Sequence, residues 1–267
     1  MPTLRFIDSQ FFSGAMNMAV DETLAGSLSQ KTATPYIRFY QWKPATISFG
    51  YNQKIERIID IEAAQTAGFA LVRRMSGGKM VFHNDEYTFS TGLTAEFIES
   101  RIGRGKTFLE MFQLVISPLI EGLKQMGVPA RFASSREEMR HSSNSLHCYA
   151  TAAGHSIYAG KRKLVGAAGV FRENCLIVHG SIPVKASFPP DHLFISNHKI
   201  SHDIEMAALS DYCNISRINQ LPAIVARKYS EQLGLAIIEQ ALSQDEISAA
   251  EALASNKYQN LHWHSKI

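Results

Sequence analysis

The chain has 267 residues, 45% of them hydrophobic and 19% charged. That is enough apolar material for a sizeable core, and it excludes a largely disordered chain. Lys and Arg number 27 against 24 Asp and Glu, a formal charge of +3, too even to draw nucleic acid by charge alone.

The length fits one large α/β domain as well as two smaller ones. Residues 4–8 read as an opening strand, and residues 14–28 as a helix with Met16, Ala19, Val20 and Leu24 near one face. Residues 35–42 alternate like a strand, residues 46–49 form a second, and residues 58–67 a helix capped by Gly68. Residues 69–73 run as a strand into Ser76, Gly77 and Gly78; residues 80–83 and 87–93 are strands around a polar turn. Residues 106–126 have helical period, with Pro118 predicting a kink or break. Residues 134–147, rich in serine and charge, read as a long mobile loop. Strands follow at 154–158, 164–168 and 175–184, the first two joined by a hairpin turn. Everything from residue 216 on is helical in pattern, with helices at 221–233 and 244–253. The division expected is therefore one α/β unit over residues 1–215 and a helical extension over 216–267 packed on it.

Three cysteines, Cys148, Cys175 and Cys213, lack CxxC spacing; they argue against a disulfide framework or zinc knuckle and suit a reducing cytoplasm. No apolar run approaches the ~20 residues of a membrane helix, the first residues do not have the form of a signal peptide, and no repeat period is visible. The expectation is a cytoplasmic protein with no membrane and no nucleic-acid partner.

Three places carry chemistry. Arg73 and Arg74 lead into Ser76, Gly77, Gly78 and Lys79, and a strand leaves through Val81 to His83. Paired glycines allow close backbone approach and free N–H groups form an anion nest, with the cations adding charge for a phosphate or carboxylate; the alternative is a hairpin turn with exposed basic residues. Lys163 opens a strand of small and apolar residues, Val165, Gly166, Ala167, Ala168 and Gly169, followed by His179, Gly180, Ser181 and Ile182. A lysine facing a cleft there can polarise a carbonyl; a solvated turn lysine is the alternative. Cys148 lies between His147 and Tyr149 in polar, histidine-rich surroundings of the kind that hold reactive thiolates. Cys175, in an apolar run, reads as a small buried hydrophobe. Ten histidines yield no metal motif; His198 and His202 read as surface loop residues.

These residues resemble a known family. Asn17-Met18-Ala19-Val20-Asp21-Glu22, the strand-turn ending in Gly50-Tyr51-Asn52-Gln53, Arg73-Arg74-x-Ser76-Gly77-Gly78-x-x-Val81-x-His83, and Lys163-x-x-Gly166 with His179-Gly180-Ser181-Ile182 sixteen residues after the lysine are similar, in order, to the signatures of the lipoate–protein ligase A-like group of the biotin/lipoate protein ligase superfamily. Cys148 stands fifteen residues before Lys163, the offset of the cysteine-dependent octanoyltransferases, and Glu86-Tyr87-Thr88-Phe89-Ser90 is similar to their Glu-x-Thr-Tyr-Ser. The resemblance implies an α/β (α+β) fold with a mixed, largely antiparallel sheet flanked by helices. It implies transfer of an octanoyl (or lipoyl) group from an acyl carrier protein to the lysine of a lipoyl domain or glycine cleavage H protein. Cys148 is the expected acyl carrier and Lys163 its catalytic partner. Arg73, Arg74, Ser76, Gly77, Gly78, His83, Val165, Gly166, Ala167, His179, Gly180 and Ser181 are expected around the acyl group, with Ile182 beside Val165 in the tunnel. His83, His147 and His179 are all candidates to polarise Cys148. No cofactor is expected on this reading; ATP and Mg²⁺ enter if the chain is instead an ATP-dependent lipoate–protein ligase. A non-catalytic acyl-binding relative is the third reading. Lys79, Met80, Asn84 and the Ala167-Ala168-Gly169 run depart from the family pattern and bear on acyl length and donor.

Overall fold

The computed structural model describes residues 2–30, 33–134, 148–150, 156–195, 206–260 and Trp263. Eleven strands and seven helices are formed among them. Strand β1 (Thr3–Phe12) feeds helix α1 (Gly14–Ser29), whose first turn is capped by the Ser13 hydroxyl accepting from Met16 N at 3.2 Å. Strands β2 (Tyr36–Trp42), β3 (Thr46–Phe49), β4 (Ala70–Arg73), β5 (Val81–His83) and β6 (Glu86–Thr94) follow, with α2 (Ile61–Thr66) between β3 and β4. Helices α3 (Ala95–Ile102) and α4 (Phe108–Gln125) precede β7 (Ala130–Phe132), β8 (Ile157–Ala159), β9 (Arg162–Arg172) and β10 (Cys175–Pro183). Short α5 (Ile215–Ile218), then α6 (Leu221–Leu233), β11 (Ala236–Glu239) and α7 (Gln244–Leu253) complete the order.

Eight strands form one sheet in the order β11-β1-β2-β6-β10-β9-β8-β7; β4-β3-β5 form a second. In the large sheet β1 pairs in parallel with β11 and β2, and every other neighbour pair is antiparallel. Fully buried side chains on one face, Phe39, Phe89, Leu176 and Val178, pack with Phe112, Val115 and Leu119 of α4 and Val225 and Tyr229 of α6. The other face meets α1 through Met18, Val20 and Leu24. The sheet is thus mixed, largely antiparallel and flanked by helices, as the resemblance implies. No helix of the described residues is long and apolar enough to cross a membrane.

Two expectations change. Pro118 does not break α4, which runs from Phe108 to Gln125. A proline leaves the carbonyl four residues earlier without its N–H donor, and here the Ser117 hydroxyl donates to that carbonyl, Leu114 O, at 3.0 Å. The segment after residue 215 is not wholly helical either. Ala236 to Glu239 pair in parallel with Thr3 to Phe6 and form the edge of the main sheet. Helix α3 and strand β7 are further elements that periodicity alone did not mark, and residues 135–147 lie outside the described residues.

Candidate active site

The hairpin β9–β10 sets the site. Its register places Ser181, Gly180 and His179 opposite Gly166, Ala167 and Ala168, so the two small-residue motifs become one wall. The loop after β4 forms the other. Phe49 O accepts from Arg74 N at 2.8 Å and Ser76 O from Tyr51 N at 2.9 Å, which holds the 49–51 and 74–78 segments together. A Cβ at Gly50 would lie 1.9 Å from Gly78 O, so only glycine permits that approach. Gly78 itself has φ +93°. Between the walls is a largely apolar pocket of about 400 Å³, counted out to its solvent mouth, lined by Met18, Tyr40, Trp42, Arg74, Gly78, Lys79, Val81, His83, Thr88, Cys148, Gly166, Ala167, Ala168, His179, Gly180 and Ser181.

Cys148 lines it, and Lys163, outside the lining itself, reaches Cys148. Cys148 begins a single 3₁₀ turn, Cys148–Ala150, whose first N–H donates to Met80 O at 3.0 Å. Lys163, 3% exposed, donates through Nζ to Cys148 O at 2.7 Å and reaches Cys148 Sγ at 3.7 Å. Burial lowers the Lys163 ammonium below its ordinary range, and a thiolate at Cys148 would offset that. A Cβ at Gly166 would stand 2.7 Å from Cys148 Sγ, so this glycine makes room for the sulfur. Lys79 lines the same pocket. Its ammonium is also lowered by burial, with Cys148 opposing the shift and Lys163 adding to it. Arg74 is buried and pushed down to about 10 by that burial; its guanidinium donates to Ser48 Oγ at 2.6 Å and to Lys79 O at 2.8 Å.

Beneath the pocket lie two polar clusters. His83 is hydrogen-bonded through Nε2 to Ser48 Oγ and through Nδ1 to Glu86 Oε1, both at 2.6 Å, and Trp42 stacks on its ring at 3.9 Å. Thr88 donates to Glu86 Oε1 at 2.5 Å and accepts from Trp42 Nε1 at 2.7 Å. His179 bonds through Nε2 to Ser76 Oγ, and its Nδ1 is 3.9 Å from Asp21 Oδ2. Asp21 is paired with Arg38 at 2.7 Å and accepts from Tyr40 OH at 2.9 Å. Burial would raise the Asp21 carboxyl, but Arg38 and His179 outweigh it and hold it below the usual range. Of the Asn17 to Glu22 motif, Met18 lines the pocket and Asp21 stands behind His179, and Asn17 Oδ1 accepts from Arg38 at 2.7 Å.

The expected residues divide. Cys148, Arg74, Gly78, His83, Gly166, Ala167, His179, Gly180 and Ser181 line the pocket; Lys163 does not line it but joins them through Cys148, and Ser76 supports it through His179. Arg73 does not line it. Its guanidinium donates to the carbonyls of Gly50, Tyr51 and Gln53 at 3.2, 2.7 and 2.7 Å and to Trp263 O at 3.1 Å, so it clamps a turn where an anion ligand was expected. Gly77 is likewise not part of the lining, and Val165 and Ile182 belong to the main core. His83 and His179 have their ring nitrogens engaged with Ser48, Glu86, Ser76 and Asp21, and Lys163 Nζ lies 3.7 Å from Cys148 Sγ. His147 lies outside the described residues. Sequence reasoning missed Ser48, Tyr40, Trp42 and the role of Glu86, which become site residues only through pairing across the sheet.

The family model for the lipoyl protein ligase A/B catalytic domain matches residues 13–229. The chain belongs to that family. It is 32% identical over 279 aligned positions to the octanoyltransferase LipM of Bacillus subtilis (strain 168), covering 99% of this chain and 98% of the relative. It is 29% identical over 278 positions to the octanoyltransferase LipM of Geobacillus kaustophilus (strain HTA426), covering 98% of both. Among solved structures, a lipoate-protein ligase A bound with ATP superposes with a TM-score of 0.78 at 24% identity over 99% of this chain and 98% of the other, which establishes the shared fold.

Proposed function

We propose that the chain is an octanoyltransferase of lipoate biosynthesis that carries an octanoyl group on Cys148 from the thioester of an acyl carrier protein to the lysine of a lipoyl domain or of glycine cleavage H protein. Full-length similarity to octanoyltransferases supports the reaction. The observation that supports the route is Lys163 Nζ, buried and 3.7 Å from the Sγ of Cys148, which lines a largely apolar pocket.

In the first half-reaction the Cys148 thiolate attacks the octanoyl carbonyl, the carbon–sulfur bond to the carrier breaks, and the carrier leaves as a thiol with a proton from Lys163. Lys163 also faces the oxyanion that develops, an interaction worth about 3–4 kcal/mol in comparable sites. Acylation removes the thiolate charge that supports the ammonium, so burial then favours the neutral amine. In the second half-reaction the acceptor amine attacks the Cys148 thioester. Its proton passes to Lys163, an amide forms, and the Cys148 thiolate departs. One thioester is consumed for each amide formed, and no ATP is required.

The test is intact mass after mixing with octanoyl-carrier protein. Wild type gains one octanoyl increment, labile to hydroxylamine and mapping to Cys148, and Cys148→Ala gains none. A full adduct on Cys148→Ala, or one on Cys175 or Cys213, overturns the assignment.

A further inference from the structure

We propose that Tyr149 and Glu86 position the nucleophile: a chain of buried hydrogen bonds from Tyr149 through Ser181 to Glu86 ties the turn bearing Cys148 to the two central strands of the sheet. The proposal rests on Cys148 carrying the acyl group.

A single 3₁₀ turn has too few hydrogen bonds of its own to fix a side chain. Cys148–Ala150 is tied from outside at its backbone by Met80 O and Lys163 Nζ. The third tie is the neighbouring side chain. Tyr149 is 3% exposed, packs with Val81 and Met206 beside Cys148, and shares its one hydroxyl proton between Ser181 O at 2.9 Å and Ser181 Oγ at 3.1 Å. The Ser181 hydroxyl has one proton and donates it to Glu86 Oε2. Glu86, also 3% exposed, takes Thr88 and His83 on its other oxygen.

The direction of this chain is set at its end. A carboxylate accepts, so Ser181 must point its proton inward and is left to accept from Tyr149. Burial and the nearby Glu86 hold the Tyr149 phenol well above its usual range, which keeps it a donor. The anchor is also well placed. Glu86 and Ser181 lie on β6 and β10, with Ser181 opposite Thr88 and Pro183 opposite Glu86, and Ser181 and Thr88 line the pocket. The sulfur and the acyl pocket thus share one frame. Lys163 Nζ sits 5.8 Å from the centre of the Tyr149 ring, so the same ring borders both reacting groups.

Tyr149→Phe removes one oxygen and keeps the ring and its packing. At saturating octanoyl-carrier protein its rate of Cys148 acylation should fall about 10- to 100-fold, the effect of misplacing a reacting atom by about 1 Å, with KM for the carrier within about twofold. Ser181→Ala and Glu86→Gln should fall similarly, and Tyr149→Phe combined with Glu86→Gln should fall no further than the worse single variant, because the two act through one chain. Tyr229→Phe is the control: its buried hydroxyl donates to Val115 O at 2.7 Å, outside the pocket, so its loss should move the melting temperature and leave acylation at the wild-type rate. Alkylation of Cys148 by iodoacetamide, followed on its own peptide, reads the same positioning without a carrier and should slow several-fold in Tyr149→Phe. Wild-type rates in Tyr149→Phe, a defect confined to KM, or an equal loss in Tyr229→Phe overturns the proposal. A wild type that takes no octanoyl group while Tyr149→Phe still slows alkylation overturns the acyl-transfer reading and leaves the positioning role standing.

Discussion

At the scale of single residues, the role proposed for Lys163 rests on a titratable point charge 3.7 Å from sulfur. Arginine retains charge but has a planar fork and does not give up a proton. Lys163→Arg and Lys163→Ala should therefore both lose about 100-fold or more in single-turnover transfer, and near-normal turnover in Lys163→Arg would show that charge alone is used. Gly166 is the complementary case. Because its added Cβ would stand 2.7 Å from Cys148 Sγ, Gly166→Ala should displace the sulfur and slow Cys148 alkylation about 10-fold or more; unchanged alkylation would show that the turn yields freely. His179 links the site to pH. Burial pushes its imidazole below 6.5, Asp21 opposes, and Arg74 and His83 reinforce. The unfolded chain then takes up a proton before the folded one, so stability is full above about 6.5 and declines as pH falls below it. Urea unfolding at pH 7.5 and 5.5 should show that decline in wild type and a flatter response in His179→Gln; equal slopes would assign the decline to other groups.

At the scale of elements, Arg73 shows how a motif can be legible while its role is not. Its place in Arg73-Arg74-x-Ser76-Gly77-Gly78 marks the loop, but only the approach of the 50–53 turn and Trp263 shows a guanidinium engaged with carbonyls. Trp263 Nε1 returns a hydrogen bond to Arg73 O at 3.2 Å, a contact separated by 190 positions. Arg73→Lys should lower the melting temperature by about 2–10 °C, as for the loss of about 1–3 kcal/mol in a domain of this size. A raised KM for the donor with an unchanged melting temperature would instead restore the anion-binding role. The same limit explains the missed elements. Helices 221–233 and 244–253 carry enough turns for their period to be read, and they form at those bounds. Strand β11 has four residues and exists because Thr3 to Phe6 lie beside it. Cys148 and Lys163 are singled out through the family resemblance, and the fold brings them 3.7 Å apart, whereas Glu86, Ser48 and Tyr40 reach the site by register between strands distant in sequence.

At the scale of the whole molecule, the segment after residue 215 is woven into the fold. Strand β11 closes one edge of the large sheet, α6 packs on α4, and Glu22 of α1 accepts from Lys257 at 2.6 Å and Tyr258 at 2.5 Å. This architecture is shared with an ATP-bound ligase, so the fold alone does not choose the energy source, and the choice falls to the sulfur. If Cys148 takes the acyl group from a thioester, the activated bond is already present in the donor. Transfer to a lipoyl domain should then proceed from octanoyl-carrier protein in buffer without ATP or Mg²⁺. A ligase must make its own activated acyl group and needs ATP, a divalent ion and free octanoate or lipoate. Lipoyl-domain mass should be followed in parallel with each donor, for wild type and Cys148→Ala. The thioester route predicts modification by wild type from the carrier alone, and its loss in Cys148→Ala. Modification confined to the tube holding ATP and free acid, and undiminished in Cys148→Ala, would replace the transferase by the ligase and leave the cysteine without a role in the chemistry.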